Sequence, residues 1–337
     1  MAVPVGLLFG TLTLIGVVGN LIVILAIAGD SKMRRSVMNI LLLNLAIADL
    51  CNLVIASPEW ISPVFFESMW FLPSFMCSVC RYLECVFLYA SIFTQIIVCI
   101  ERYVAIALPM QARRLCSRRN VLMTVAGSWL FVAAFASPYA SIHSVSASRR
   151  PRCLNVAYGL PWWSRFKFTE FIAFYFVPCI IFVFVYSKIA RILWSKDPSL
   201  TALCNPAHTR QRDSLRTRRN VVKMLIFCVA VYFICYSPIQ FLFISSNILG
   251  IVFRPPYEFI LLMNALAMTC SASNPLLYTL FSTNFRKRLW AFVPTTNVSS
   301  KSFSLCSHRF GSNISQSAPL QPLKTNDSAK SREQSFF

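Results

Sequence analysis

This chain is poor in acid. Asp and Glu together number 12 in 337 residues, and charged residues of both signs make up 13%, about half the share found in a soluble domain. Histidine occurs three times, at His143, His208 and His308. These positions are too scattered for a ligand cluster or a nucleophile–base pair, which argues against a membrane enzyme. The early apolar stretches do not resemble the later ones, so the internal repeat expected of a transporter is lacking. No signal peptide with a cleavage site precedes the first stretch, which begins within a few residues of Met1. So short an outward end is expected of an incomplete gene model or a short isoform.

Apolar residues fill the space that charge leaves, at 56% with a mean hydropathy of +0.60. Windows nearly free of charge and long enough to cross a bilayer, about 20 residues each, fall near 3–28, 38–63, 77–107, 121–143, 167–193, 221–247 and 257–281. Seven spans put the two ends on opposite sides. Of the 32 Lys and Arg, 25 fall on the side of the segments that follow spans one, three, five and seven. Cytoplasmic loops retain positive charge, so that side is inside and the N-terminus outside. The net charge of +20 is therefore a topology signal, with attraction to anionic lipid and acidic partners. Nucleic acid is not a partner, because no aromatic-interleaved basic patch accompanies the charge. The sequons at Asn297, Asn313 and Asn326 fall on the inner tail, where they are not glycosylated.

Most of the 13 cysteines sit within spans, as small apolar filler. Cys153, in the outer loop between spans four and five, faces an oxidising compartment with Cys77 at the top of span three. Cys80, one turn further along, is a rival partner. Three polar features inside the spans are costly unless partnered or functional. Asp49 stands near mid-membrane in span two, either protonated in a polar cluster or serving as a monovalent cation site or proton-linked switch. Glu84 lies about two turns below Cys77. Glu101-Arg102-Tyr103 closes span three, Arg102 lying about 37 Å of helix from Cys77. Pro58 and Pro63 are expected to kink the outer end of span two. Pro178, Pro238 and Pro275 interrupt spans five, six and seven, freeing carbonyls and making bending points. The inner loop over 188–220 is expected to be irregular, broken by Asp197-Pro198 and Asn205-Pro206. Phe285, Leu289 and Phe292 share one face of a short basic helix suited to the inner headgroup layer. The serine-rich remainder reads as a disordered cytoplasmic tail over 293–337, open to phosphorylation and ending in Ser335-Phe336-Phe337, a short match to a captured carboxy-terminal strand.

The ordered set Gly19-Asn20, Leu45-Ala46-Ile47-Ala48-Asp49, Trp70, Cys77, Glu101-Arg102-Tyr103, Trp129, Pro178, Tyr186, Cys235-Tyr236-Ser237-Pro238 and Asn274-Pro275-Leu276-Leu277-Tyr278 resembles the rhodopsin-like (class A) G-protein-coupled receptors. The likeness covers about 3–292. It implies an all-α membrane protein, a seven-transmembrane helix bundle with a short amphipathic eighth helix, over 1–292. It favours Cys77 as the partner of Cys153. It implies that Glu101 restrains Arg102 at rest and that activation frees the arginine for a heterotrimeric G protein. Tyr186 and Tyr278 then move in beside it, and Met110 inserts into the G protein. Tyr103, Pro238, Asn274 and Pro275 belong to the same switch. Asp49, Ser91, Ser271 and Asn274 correspond to an allosteric sodium pocket, with no other cofactor implied. Further partners are arrestin, a receptor kinase and membrane lipid, and the location is the plasma membrane.

Departures from the family pattern matter. Tyr236 replaces the usual tryptophan of span six and Tyr232 the usual phenylalanine. Cys270 replaces an asparagine beside the sodium pocket. Gln95 enters an apolar sealing layer, and Arg218 stands where some members place an acid for the arginine. The missing outer lock implies appreciable basal signalling. No lysine occurs from Met224 to Phe281, and Met268 stands at the retinal-attachment position, so an opsin is excluded. By the same resemblance Glu59, Glu84 and Glu170 face an outer cavity with Trp60, Tyr236, Gln240, Phe243 and Asn264. Acids gathered in one cavity repel unless a cation joins them. The natural complement is a small basic neuropeptide, amidated or not, unless Arg81, Arg165 or Lys167 pairs with one or two of the acids. The run Pro109-Met110-Gln111-Ala112-Arg113-Arg114-Leu115-Cys116-Ser117 resembles that of receptors for thyrotropin-releasing hormone and proctolin. The alternatives are a biogenic-amine receptor, disfavoured by Glu84 and by Glu170 and Phe174 in place of an aspartate and serines, and more remotely a transporter.

Overall fold

The computed structural model describes residues 2–67, 69–195, 206–247 and 257–281, all within one compact unit, Met1–Val293. The eighth helix expected over 283–292 and the tail from 293 lie outside the described residues.

The long helices follow the expected spans. They are α1 (Ala2–Gly29), α2 (Val37–Ile55, resuming as Ser57–Phe65), α3 (Ser74–Ala107) and α4 (Arg118–Ala136). The fifth, α5, is a composite of α-helix Pro161–Phe171, a π-helical turn Ile172–Phe176 and α-helix Val177–Ser195. The last two are α6 (Pro206–Asn247) and α7 (Tyr257–Phe281). Among the described residues six helices are long and apolar enough to cross a membrane. The seventh expected span is α7, whose 25 residues reach about 37 Å. Each long helix turns apolar side chains outward, among them Leu14, Leu130, Val183, Ile234 and Leu280, the pattern that lipid contact requires and water penalises.

Within the stretch 188–220 expected to be irregular, α5 continues to Ser195 and α6 begins at Pro206, while Asp197-Pro198 and Asn205 lie outside the described residues. Pro206 starts a helix here, because proline at a first helical position has no hydrogen bond to forfeit.

Interior prolines are accommodated by donors from other groups. A proline cannot donate to the carbonyl four residues earlier. For Pro58 that acceptor is Val54 O, which takes Ser57 Oγ at 2.8 Å where α2 is broken at Ala56. For Pro178 it is Phe174 O, which takes the Tyr232 hydroxyl at 2.6 Å. For Pro275 it is Ser271 O, which takes Asn20 Nδ2 at 3.2 Å. α1 can approach that closely because a Cβ on Gly19 would stand 3.0 Å from Pro275.

α3 occupies the centre, packed against α2, α4, α5 and α6. Trp129 on α4 donates to Asn44 on α2 at 2.9 Å, and Asn44 donates to Thr94 on α3 at 2.7 Å. One apolar cluster fills the inner half around Leu45, Val98, Phe182, Tyr186 and Tyr278. A second fills the outer half around Tyr89, Phe174, Tyr232 and Tyr236. On the outer face two short antiparallel strands, β1 (His143–Val145) and β2 (Cys153–Asn155), form a hairpin.

Candidate functional site

Cys153 on β2 is bonded to Cys77 on α3, with Cα atoms 5.6 Å apart. Cys80, the rival, is a free thiol buried in the same cluster. The bond fixes the hairpin over the outer end of α3, and His143 of β1 lines the cavity beneath it.

That cavity measures about 330 Å³, at the low end for ligand pockets, with room for the end of a peptide. All three expected acids reach it, Glu59 from α2, Glu84 from α3 and Glu170 from α5. Tyr236, Gln240 and Phe243 of α6 and Asn264 of α7 line it as well. Trp60 does not. It stacks on Phe9 of α1 with ring centroids 5.8 Å apart, because the α2 segment after the Ala56 break turns it toward α1 and away from the cavity.

The acids are not bare. Arg81 forms ion pairs with both Glu59 and Glu84, the latter at 3.3 Å. Lys167 reaches Glu170 at 2.6 Å and the Tyr139 hydroxyl at 3.0 Å, while Tyr139 donates to Glu170 at 2.5 Å. The expected mutual repulsion of three acids is thus largely relieved by the protein itself. Arg81 and Lys167 are the cations that do this, and Arg165 is exposed and does not line the cavity. Three carboxylates against two cations leave one negative charge over. His143 adds none, since burial and the nearby Arg81 hold its pKa below the usual 6.5. Tyr139 went unnoticed in the sequence because nothing local distinguishes it. Its role arises from the meeting of α4's end with α5.

At the cavity wall, Tyr236 packs on Tyr232 with centroids 4.9 Å apart. Deeper still, Asp49 accepts from Ser91 at 2.9 Å and from Asn274 at 2.6 Å, all three residues being buried. Ser271 is buried beside them. One carboxylate and two hydroxyls are a hard-oxygen donor set with a single charge, which fits a monovalent cation completed by water better than a divalent one. Among the described residues no group of three or more His, Cys, Asp or Glu could hold a metal.

At the inner end Glu101 and Arg102 are paired on two sides. Arg102 Nε meets Glu101 Oε2, and Nη2 donates to Glu101 Oε1 at 2.6 Å. Glu101 is buried, and Tyr186 and Tyr278 lie within the inner apolar cluster. Tyr103 packs at that cluster's edge. Pro238 and Pro275 lie inside α6 and α7. Met110, in the helical turn Pro109–Leu115, is 91% exposed, and Arg218 is exposed.

The pattern of the 7 transmembrane receptor (rhodopsin family) matches residues 19–278. The chain is 61% identical to neuropeptide receptor 15 of Caenorhabditis elegans, over 86% of this chain and 90% of that protein. It is 28% identical to galanin receptor type 2 of Homo sapiens, over 85% and 72% respectively. With the allatostatin-A receptor of Bombyx mori it shares 27%, over 84% and 77%. The match spans every helix from Gly19 to Tyr278, including the Asp49 cluster and the Glu101–Arg102 pair, and the chain belongs to the rhodopsin family of seven-transmembrane receptors.

Proposed function

We propose that this multi-pass membrane protein is a plasma-membrane receptor with its N-terminus outside, activated by a peptide that inserts a basic end into the outer cavity and signalling through a heterotrimeric G protein. The observation that carries this reading is the cavity itself. It lies beside the disulfide-bonded hairpin, keeps one negative charge after internal pairing, and is lined by the packed rings of Tyr232 and Tyr236. The similar proteins are by name receptors for neuropeptides, galanin and allatostatin-A, which supports a peptide over an amine.

Binding acts through differential affinity for two states of the bundle. In the state described, the guanidinium of Arg102 is engaged by Glu101. A peptide that contacts Tyr236 and Gln240 bears on α6 on either side of Pro238, so its contacts favour a displacement of the inner half of α6. The displacement opens a cleft in which Arg102, Tyr186 and Tyr278 meet the G protein, with Met110 as an apolar plug beside it. Asp49, Ser91, Ser271 and Asn274 would hold a sodium ion, whose positive charge would favour the resting arrangement of α2, α3 and α7. The tail and exposed inner loops are the surfaces for a receptor kinase and arrestin.

The test is peptide-driven GTP exchange on membranes carrying the full-length chain and a G protein, alongside substrate flux in vesicles. Exchange that rises with a basic peptide, without flux, supports the proposal. Flux without exchange sinks it.

A further inference from the structure

Two carboxylates share one guanidinium at the outer part of the cavity. Glu59 comes from the short helix after the α2 break and Glu84 from α3, and both meet Arg81 through the same nitrogen, Nη1. The three side chains are 18%, 26% and 32% exposed, so the group is partly open to outside water. The third acid is closed off. Glu170 is paired with Lys167 and capped by Tyr139, and Lys167 also lies over the Tyr139 ring. The surplus negative charge of the cavity therefore resides on Glu59 and Glu84.

Arg81 and Glu84 lie three residues apart on one helix, so their contact needs no other element to bring it about. Arginine's long stem lets its head move between an acid and water with little change in backbone. Among the described residues its ion-pair partners are these two acids. A cation arriving from outside meets two carboxylates that one protein cation only half neutralises.

We propose that Arg81 is an internal competitor for the ligand's cation. Its guanidinium keeps, between Glu59 and Glu84, the place that one guanidinium or ammonium of the peptide takes on binding, and it swings toward water as that group enters. This rests on the reading of the cavity as the peptide site. The subsite takes a single cation, because two adjacent ones would exceed the charge of the two acids once any contact with Arg81 is kept.

The experiment uses the full-length receptor in detergent, with Nα-acetyl-arginine amide as the cationic probe and the isosteric neutral Nα-acetyl-citrulline amide as control. Affinity is read from the titration of the thermal midpoint. Arg81→Gln is expected to bind the cationic probe about two- to fivefold more tightly than the unaltered chain, the scale of one partly exposed ion pair. The neutral probe gains nothing. Adding Glu59→Gln and Glu84→Gln to Arg81→Gln removes the gain. The proposal is overturned if Arg81→Gln binds no tighter, if citrulline gains equally, if the gain survives loss of both acids, or if neither probe binds any variant. Should Arg81→Gln fail to fold, Arg81→Lys replaces it. Its shorter-reaching point charge gives a smaller gain in the same direction, and no gain overturns the proposal. Peptide-driven GTP exchange separates the two ideas. Exchange without the Arg81→Gln gain removes the competitor alone, and the gain without any exchange leaves a cation site but removes the peptide receptor.

Discussion

The hydroxyl of Tyr232 on α6 donates to the backbone carbonyl of Phe174 on α5 at 2.6 Å, and this is the carbonyl that Pro178 leaves without its helical donor. The residue that departs from the family pattern by one hydroxyl thus supplies the bond that a proline removed. Beside it, Tyr175 Oη and Ser237 Oγ lie 2.6 Å apart, so α5 and α6 are tied twice around the π-helical turn. Tyr236, one turn above Tyr232, lines the cavity. A ligand that moves Tyr236 therefore acts on a polar latch, whereas a purely apolar contact would slide.

Tyr232→Phe should raise ligand-free signalling. The substitution keeps the ring and deletes the hydrogen bond, worth about 1 kcal/mol net. If the latch belongs to the resting state, its loss shifts the two-state balance about fivefold toward the open form. Ligand-free GTP exchange, normalised to surface expression, measures this. Exchange equal to that of the unaltered chain would mean that the latch is kept in both states and has no part in switching.

Asp49→Asn should remove any response to sodium. The unaltered receptor is expected to have a higher thermal midpoint in sodium chloride than in potassium chloride at equal ionic strength, and Asp49→Asn to show none of that difference. Ser91 and Asn274 both donate to the carboxylate, so the amide also loses one acceptor and its baseline stability changes. The sodium-minus-potassium difference is unaffected by that baseline. No difference in the unaltered chain would leave Asp49 as a structural acceptor only.

The spans and the family were legible because each is written in local sequence. Charge-free windows, the count of basic residues per loop and the ordered motifs all lie along the chain. What lay between helices was not legible. Trp60 sits next to Glu59, yet the break at Ala56 sends the indole toward Phe9 and the carboxylate toward Arg81. The cavity's charge balance depended on where Arg81 and Lys167 point, which spacing leaves open. The pairing of Pro178 with Tyr232 and of Pro275 with Asn20 joins residues 54 and 255 positions apart, beyond the reach of any periodicity.

Gly16→Val should destabilise the bundle without touching either end of it. A Cβ at Gly16 would stand 3.1 Å from Ala272 Cβ and 3.2 Å from its Cα, with Leu53 Cδ1 nearer still. Leucine can rotate away but the α7 backbone cannot, so α1 must move off α7. Overpacking of this kind costs about 1–3 kcal/mol. The thermal midpoint should fall, while Gly10→Val, which meets nothing within 4 Å, leaves it in place. Equal loss in both would show that the close contact with α7 is not the cause, since valine is no poorer a helix former than glycine.

Acid should weaken cation binding through His143. Burial, with a contribution from Arg81, holds this imidazole's pKa below 6.5, while the backbone carbonyl of Tyr139, 3.1 Å from Nδ1, opposes the shift. The unfolded chain therefore binds the proton more readily between 6.5 and the lower folded value. The stability this contributes is fully present above pH 6.5 and is lost as pH falls through that window. As pH falls through that lower folded value the ring takes its proton and cancels the single negative charge left in the cavity. Affinity for Nα-acetyl-arginine amide should be level from neutral pH upward and decline below 6.5. His143→Gln, which keeps a polar group and cannot take the proton, should flatten the part of the decline that the imidazole causes. Identical profiles for the two chains would show that the acids alone govern the charge of the site.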